Sequence, residues 1–209
     1  MQARKDFTNN GDFYMPDYTT RNETGKDRGQ PLLSAPVSTN LNYRILDAQD
    51  GDLKLYLPKL DRLHREVVAS LTGTPSYHSQ AMRMLTSDGM VAILQKSQKS
   101  YIVVCEFGLS DNVAGSSIVT GDPHQSQRGW ISYFSTHPEH RRRHVGTGII
   151  RSLGEATLGE AKRRGLTTLH AMAEVNNRVR LLGKRWGFSE TEPHSGIVEE
   201  AMVTLYRKL

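Results

Sequence analysis

The stretch WISYFSTHPEHRRRHVGTGII, residues 130–150, decides how this chain folds. Its first part, Trp130–Thr136, is aromatic and β-branched enough to predict a buried strand. Pro138 ends that strand, because proline has no backbone N–H to donate to a neighbouring strand. Ile149 and Leu153 then begin an apolar face with helical spacing. The stretch therefore predicts a strand, a basic loop and a helix in immediate succession.

The loop inside this stretch has the composition of a phosphate site. Arg141, Arg142 and Arg143 supply positive charge, and Gly146 and Gly148 allow the backbone to approach a ligand closely. The helix that follows offers unpaired N–H groups and the positive end of its dipole. Together these features predict a site for a phosphate or pyrophosphate group.

The charge of the chain is local. The formal net charge is +5, and the window 128–164 alone holds eight Lys or Arg against three Glu. A local excess of this kind suits a phosphate-bearing ligand or an acidic partner, although charge runs are often solvated helix faces. A basic surface formed by 140–144 and 162–164 also raises nucleic-acid binding, but no known DNA-binding module accompanies it, which disfavours that interpretation.

Other residue types narrow the class of protein. His137, His140 and His144 have a metal-like spacing, but three interrupting arginines would repel a cation, so no metal is expected. Cys105 is the only cysteine and lies in an apolar strand, where core packing is expected. The first residues lack the apolar core of a signal peptide, and no apolar run approaches about 20 residues. We therefore expect a cytoplasmic protein that does not enter a membrane.

The strand, loop and helix resemble the signature of the GNAT superfamily of acyl-CoA-dependent N-acetyltransferases. In that family a strand ends in hydrophobic-x-Pro-Glu, and Gln/Arg-x-x-Gly-x-Gly/Ala then opens a helix. This chain has Thr136-His137-Pro138-Glu139, followed by Arg141 and Gly146 at the first and last motif positions. His144 stands where the family has its first glycine. A literal match, Arg143-x-x-Gly146-x-Gly148, exists in a second register.

A second segment carries the resemblance independently. Residues 176–188 read NNRVRLLGKRWGF, in which Asn176, Leu182 and the pair Gly187-Phe188 match the family pattern. The usual tyrosine of that pattern is replaced by Gly183. The two motifs stand in family order, and the resemblance covers about residues 42–209.

The resemblance implies an α/β (α+β) fold, namely a central mixed, mostly antiparallel sheet with a splayed parallel strand pair, flanked by helices. Residues 41–209 would form this N-acetyltransferase domain. Residues 1–40 are polar and without hydrophobic periodicity, so they are expected to be a flexible N-terminal extension. A docking arm or lid is the functional alternative for that segment.

The resemblance also implies where acetyl-CoA would bind. The backbone of Phe134, Ser135 and Thr136 would pair with the pantetheine arm. Asn176 would face the far side of the thioester pocket. The pyrophosphate would be cradled by the loop and first helical turn, which comprise Arg141, Arg142, Arg143, His144, Val145, Gly146, Thr147 and Gly148.

Catalysis in the family is direct attack of an amine on the thioester. Glu174, at the end of the second parallel strand, is the first candidate for the base, and His170 is the second. Glu174 could instead form an ion pair with a nearby arginine. With Gly183 unable to protonate the thiolate, Tyr133, Tyr206 or water would have to do so.

The predicted function is acetyl-CoA-dependent N-acetylation of an amine. Residues 173–176 and 186–188 are similar to those of bacterial protein-lysine acetyltransferase domains. A protein lysine or N-terminus and a small-molecule amine stay equally open as acceptors. The alternative is a catalytically weak or inactive acyl-CoA-binding module that contacts an acidic partner or nucleic acid. The sequence leaves a homodimer open.

Patterning elsewhere predicts the scaffold. Asp50 and Asp52 can cap a helix that Pro58 should kink or split. A short helix is expected over His78–Leu85, ending near residues 87–89. Strands are expected over Asn42–Ala48, Met90–Gln95, Tyr101–Phe107, Val113–Thr120, Leu166–Ala173 and Glu199–Arg207.

Overall fold

The structure is a computed structural model that describes residues 41–70, 83–107, 112–141, 144–174, 183–184, 186–190 and 202–209. Only the backbone is described for residues 141, 144–147, 173–174 and 202. The predicted extension, residues 1–40, lies outside the described residues.

The described elements run from one strand and two helices, through three strands and two helices, to three final strands. They are β1 (Leu41–Leu46), α1 (Leu53–Ala69), α2 (Ser87–Gln95), β2 (Tyr101–Phe107), β3 (Val113–Gly121), β4 (Arg128–Thr136), α3 (Pro138–Arg141), α4 (His144–Arg163), β5 (Thr168–Glu174), β6 (Ser189–Glu190) and β7 (Met202–Lys208).

The strands of the described residues form one seven-stranded sheet in the order β1-β2-β3-β4-β5-β7-β6. Every neighbouring pair is antiparallel except β4 and β5, which are parallel. The predicted fold class, a mixed and mostly antiparallel sheet with one parallel pair and flanking helices, is confirmed.

Two apolar layers cover the two faces of the sheet. Alternate residues of β2 divide between them, as expected for side chains that point to opposite faces of a strand. Tyr101, Val103 and Cys105 join the layer under α4, whereas Ile102 and Val104 join the layer under α1 and α2. Helix α4 therefore lies on one face of the sheet, and α1 and α2 lie on the other.

The prediction of a strand over Met90–Gln95 is wrong, because these residues belong to helix α2. Thr86 caps this helix, and its Oγ1 accepts a hydrogen bond of 3.1 Å from the backbone N–H of Gly89. Met90, Ile93 and Leu94 are buried at the spacing of one helical face. The predicted stop near residues 87–89 is thus a helix start. A short apolar run does not by itself distinguish a strand from a buried helix.

Helix α1 corrects two further expectations. Pro58 does not split it, because α1 is continuous from Leu53 to Ala69. Its buried residues lie on both sides of Pro58, and their burial offsets the loss of one backbone hydrogen bond. Asp52 occupies the N-cap position but makes no capping bond. Its carboxylate instead accepts a hydrogen bond of 2.6 Å from Arg44.

The remaining boundaries differ from the predictions by a few residues. The first strand ends at Leu46 rather than at Ala48, and β5 begins at Thr168 rather than at Leu166. Gly165 follows α4 with a φ of 69°, the left-handed conformation that a helix-ending glycine adopts without strain. Of the helix predicted over His78–Leu85, residues 83–85 are helical, and the rest lies outside the described residues.

Candidate active site

Strands β4 and β5 are paired over the first half of their length and then separate. They pair only from Arg128↔Thr168 to Ile131↔Ala171. Beyond that point Tyr133–Thr136 pair with β3 alone, and Met172–Glu174 pair with β7 alone. In the strand pairing of the described residues, the edge of β4 that faces β5 is therefore open over its second half.

A β-bulge marks the point where the two strands separate. Ile118 of β3 lies opposite Tyr133, but Val119 lies opposite Ile131, so Ser132 is an additional residue in β4. As a result Ile131 and Phe134 both belong to the layer under α4, although three positions separate them. A bulge bends a strand and increases its twist, which gives a local cause for the separation of β4 from β5.

The predicted pantetheine-binding segment, Phe134–Thr136, can offer only its backbone. All three side chains are buried. The Phe134 ring packs against the Trp186 ring, with 5.1 Å between their centroids. Any group that enters the open space beside β4 therefore meets backbone N–H and C=O groups, as an added strand would.

The predicted phosphate loop follows this segment directly. Helix α3 ends at Arg141, and the 20-residue helix α4 begins at His144. Arg142, Arg143 and Asn176 lie outside the described residues. At Gly148, the fifth residue of α4, an added Cβ would meet no atom of the described residues within 4 Å. The open half of β4 thus ends at the N-terminus of a long helix, whose dipole favours an anion.

The second basic cluster, 162–164, is mostly occupied by ion pairs. Arg163 and Arg164 both bind Glu160, each with an N–O distance of 2.5 Å. Arg164 also bonds Asp47, at 2.9 Å, and is only 11% exposed. Burial alone would raise the pKa of Glu160, but hydrogen bonds from the two arginines outweigh burial and lower it. This cluster is therefore a structural joint between α4 and the end of β1 rather than a free basic surface.

Tyr133 lies deep in the layer under α1. It is 1% exposed, and its ring meets the ring of His64 edge to face, with 4.9 Å between centroids. His64 is fully buried, and its Nε2 lies 2.8 Å from Ser116 Oγ. Burial lowers the pKa of His64 to about 4, so its ring is neutral at pH 7. The sequence signal for this group is a histidine on the apolar face of α1, four residues after Leu60.

The two candidate bases occupy different parts of β5. Glu174 is the last residue of the strand, with its backbone opposite Met202, at the end that has separated from β4. His170 lies opposite Trp130 in the half where the strands are paired, and its ring lies between Trp130 and Tyr206. Burial, and then the charge of Arg128, lower the pKa of His170. Four residues of strand, about 13 Å, separate His170 from Glu174.

Gly183 stands in tight surroundings. An added Cβ would lie 2.9 Å from Leu205 Cδ1, so the side chain of Leu205 occupies the space beside this glycine. A tyrosine at position 183 would have to displace Leu205. Trp186 is similarly close to Gly154 of α4, where an added Cβ would lie 2.5 Å from the indole. The chain has therefore filled this side of the cleft with Leu205 and Trp186.

A cavity of about 520 Å³ opens on the α1 side of the β4–α3 turn. Sequence reasoning did not predict it, because its lining comes from segments far apart in the chain. The described lining residues are Pro58, Lys59, Arg62, Leu63, Glu66, Phe107, Asn112, Val113, His137, Glu139 and His140. The described part of the chain brings together no three His, Cys, Asp or Glu side chains that could hold a metal.

Cys105 is buried, and burial raises the pKa of its thiol to about 11, which fits the predicted packing role. Among the described residues, no helix is both long enough and apolar enough to cross a membrane.

Comparison with known proteins agrees with this geometry. Residues 62–188 match the model of the acetyltransferase (GNAT) family. A search of curated proteins gave no match. Among solved structures, a GNAT-family acetyltransferase from Desulfovibrio desulfuricans is 15% identical, with a TM-score of 0.59. The alignment covers 80% of this chain and 98% of that one.

Two further similar structures contain the coenzyme. A Salmonella typhimurium acetyltransferase, solved with acetyl-CoA, is 18% identical over 81% of this chain and 94% of its own, with a TM-score of 0.59. A chain of the NatC complex, solved with a Gag peptide and CoA, is 20% identical over 81% of this chain and 98% of its own, with a TM-score of 0.54.

The fold is thus an α/β sheet with a separated parallel strand pair and a helix start beside it, similar to the folds of these solved acetyltransferases. Because the family match covers more than half of its residues, this chain belongs to the GNAT acetyltransferase family.

Proposed function

We propose that this protein transfers an acetyl group from acetyl-CoA to an amine. The observation that carries the proposal is the separation of β4 from β5 after Ile131 and Ala171, in a strand that leads directly to α4. An extended arm ending in a diphosphate fits such a site, because the strand edge pairs with the arm and the helix start receives the phosphates.

Different segments of the site bind different parts of acetyl-CoA in this proposal. The backbone of Phe134–Thr136 hydrogen-bonds the arm, since these side chains are buried and the strand edge is open. Arg141–Gly148 and the first turn of α4 bind the pyrophosphate through main-chain N–H groups and guanidinium charge. Asn176 lines the far side of the thioester pocket.

When bound, acetyl-CoA supplies an activated acetyl thioester. The protein must deprotonate the acceptor, because an alkylamine has a pKa of about 10.4 in water. Glu174 is the proposed base, since β5 ends there on the separated side of the strand pair. It accepts the amine proton directly or through one water molecule.

Departure of the thiolate does not depend on one strong acid. A thiol has a pKa of about 8.5, so the thiolate is a tolerable leaving group near neutral pH. Tyr133 is the proposed proton donor: its ring is buried in the layer under α1, so it would have to reach the thiolate at the point where β4 has separated from β5. Tyr206 is disfavoured, because it lies beside His170 in the paired half of β4 and β5.

The acceptor is a primary amine of either a protein lysine or N-terminus, or a small molecule. The second candidate function is a binding module that retains the coenzyme but has little or no activity. Gly183 favours this candidate, because Leu205 fills the space where the family's usual tyrosine would stand.

A thiol-release assay with acetyl-CoA and an amine panel tests the function. Turnover with any amine supports the transferase. Uptake of CoA in calorimetry without turnover supports the binding module, and the absence of uptake contradicts both. In the double variant Arg141→Ala/Arg143→Ala we expect the KM for acetyl-CoA to rise at least about tenfold. The charge-matched control Lys54→Ala/Arg65→Ala removes two exposed cations from α1 and should leave KM unchanged.

The role of Glu174 has its own test. Glu174→Gln should lower kcat by about 10²-fold or more, with little change in KM for acetyl-CoA, because it removes a base and not a binding group. Glu155→Gln, in an exposed ion pair of α4, is the control. Equal kcat values for the two variants would assign the base elsewhere.

A further inference from the structure

Three elements of the fold hold His137, the residue between β4 and α3. Its backbone N–H donates to the carbonyl of Ala114 in β3, at 2.8 Å, and its carbonyl accepts from His140 N–H in α3, at 3.0 Å. Its imidazole reaches across to α1, where Nε2 lies 2.5 Å from Glu66 Oε2. The first two contacts belong to the backbone, whereas the third depends on two side chains 71 positions apart.

The hydrogen bonds of the His137 imidazole decide which of its ring nitrogens carries the proton. The backbone N–H of Glu139 donates to Nδ1, at 3.3 Å, so Nε2 carries the proton that faces Glu66. The other carboxylate oxygen of Glu66 accepts from Arg62 Nε, at 3.1 Å. The hydrogen bond from Arg62, joined by that from His137 and opposed by burial, lowers the pKa of Glu66. The carboxylate is therefore ionised at neutral pH and has a partner on each oxygen.

This contact differs from the ion pairs that lie within a single helix. Arg62–Glu66, Arg65–Asp61 and Arg151–Glu155 each join positions i and i+4 of a single helix. Such pairs support a helix locally and contribute little to tertiary geometry. Glu66–His137 instead connects α1 to a turn, and the His137 side chain is only 17% exposed. Its loss would change the position of that turn more than the stability of any helix.

The turn leads directly into the proposed phosphate loop. Pro138 follows His137 and fixes its own φ, α3 spans only Pro138–Arg141, and α4 begins at His144. His137 thus lies only seven positions before the start of α4, so the place of this turn bears on the place of that helix start. Displacement of a binding group by about 1 Å is enough to weaken a bound state measurably.

We propose that Glu66 and His137 are positioning residues, which hold the β4–α3 turn against α1 and so set the place of the phosphate loop. The inference rests on the proposed function, because it requires the pyrophosphate of CoA to lie at the start of α4. Neither side chain needs to touch the coenzyme. The contribution of the pair is to affinity for the coenzyme and not to the chemical step.

The test compares Glu66→Ala and Glu66→Gln with wild type, using CoA in calorimetry and acetyl-CoA in steady-state kinetics. We expect Glu66→Ala to raise the Kd for CoA and the KM for acetyl-CoA about tenfold, with kcat within about twofold. Glu66→Gln retains an oxygen that accepts from Nε2–H and should stay within about threefold of wild type. Glu155→Ala, which removes an exposed glutamate from the Arg151 pair, is the matched control and should change neither constant.

The partner side of the contact gives a second test. His137→Phe keeps a ring beside His140 but cannot bond Glu66, so it should reproduce the effect of Glu66→Ala. In the double variant the two effects should not add, because both remove one interaction. The single variant His137→Phe also tests the proposal if Glu66→Ala does not fold.

The outcomes distinguish a failure of the positioning role from a failure of the proposed function. If wild type, Glu66→Ala and His137→Phe all bind CoA equally well, the positioning role is overturned and the proposed function is not. A lowered melting temperature with an unchanged Kd would overturn it as well, because the pair would then be merely structural. Wild type that takes up no CoA would instead overturn the proposed function.

Discussion

The two faces of the sheet bury polar groups in opposite ways. Under α4, Glu160 is 6% exposed but ionised, because Arg163 and Arg164 bind its carboxylate. Under α1, His64 is fully buried and faces Ser116 Oγ and the Leu85 carbonyl, so it stays neutral. A buried charge requires an opposite charge beside it, whereas a buried neutral ring requires only hydrogen-bond partners. The two faces should therefore respond to acid in different pH ranges.

The largest expected effect is on the α1 face. The pKa of His64 is about 4 in the folded protein and about 6.5 when unfolded. Between these values the unfolded state binds more protons, so the free energy of unfolding falls as the pH drops from 6.5 to 4. The loss attributable to His64 is on the order of 3 kcal/mol.

Urea unfolding at several pH values measures how the free energy of unfolding changes between pH 6.5 and 4. His64→Gln should lack most of this pH-dependent slope. His170→Gln is the control, since the pKa of His170 is also lowered but its ring is only half-buried, and it should remove less of the slope. An unchanged slope in His64→Gln would contradict the neutral buried state of this ring.

The next effect is on the α4 face. Glu160→Gln should lower the free energy of unfolding at pH 7 by about 2 kcal/mol, because it removes a charge that accepts bonds from two arginines. In wild type this contribution is complete above the unfolded pKa of about 4.3 and is lost as the pH falls through the lowered folded pKa.

Chemical unfolding at several pH values between 7 and 2.5 measures this contribution of Glu160 to the free energy of unfolding. Wild type and Glu160→Gln should converge at the acid end and differ at neutral pH. Glu155→Gln, in the exposed pair of the same helix, should follow wild type throughout. A constant difference across the whole range would show that the charge of Glu160 is not the cause.

The smallest effect separates packing from helix propensity on α4. Gly154→Ala should destabilise the protein by about 1 kcal/mol, because the new Cβ meets the Trp186 indole and this outweighs the gain in helix propensity. Gly159→Ala is the matched control. Its Cβ meets nothing within 4 Å, so it should stabilise by up to about 1 kcal/mol.

Thermal unfolding of both variants, with and without CoA, provides the measurement. Because Trp186 packs on Phe134 of the open half of β4, Gly154→Ala should also weaken the stabilisation by CoA. If both substitutions stabilise the protein equally, the contact between Gly154 and Trp186 does not constrain the cleft.

The acid sensitivity of the α1 face bears on assays of the proposed activity. An amine acceptor must lose a proton, which favours high pH, and His64 weakens the fold below pH 6.5. A fall in activity on the acid side therefore combines two causes. Comparison of His64→Gln with wild type separates the loss of folded protein from protonation of the acceptor and of Glu174.

Local patterns predicted the elements around the proposed site well. Strand β4, the turn at Pro138 and the long helix α4 follow from alternation, a missing N–H donor and helical spacing, which all act within a few residues. Patterns failed at α2, where an apolar run fits a strand and a buried helix equally well. The side-chain roles assigned to Arg141–Arg143, Glu174 and Asn176 stay predictions.

By itself the sequence determined strand β4 and helix α4 on either side of a basic segment with glycines, together with the family motifs, because short-range sterics and residue chemistry set these features. Only the tertiary structure decided which residues from distant segments meet. It placed the bulge at Ser132, the end of pairing at Ile131 and Ala171, and the contact between Glu66 and His137. The reason is physical: strand register and helix docking depend on the packing of both faces at once, which no local pattern encodes.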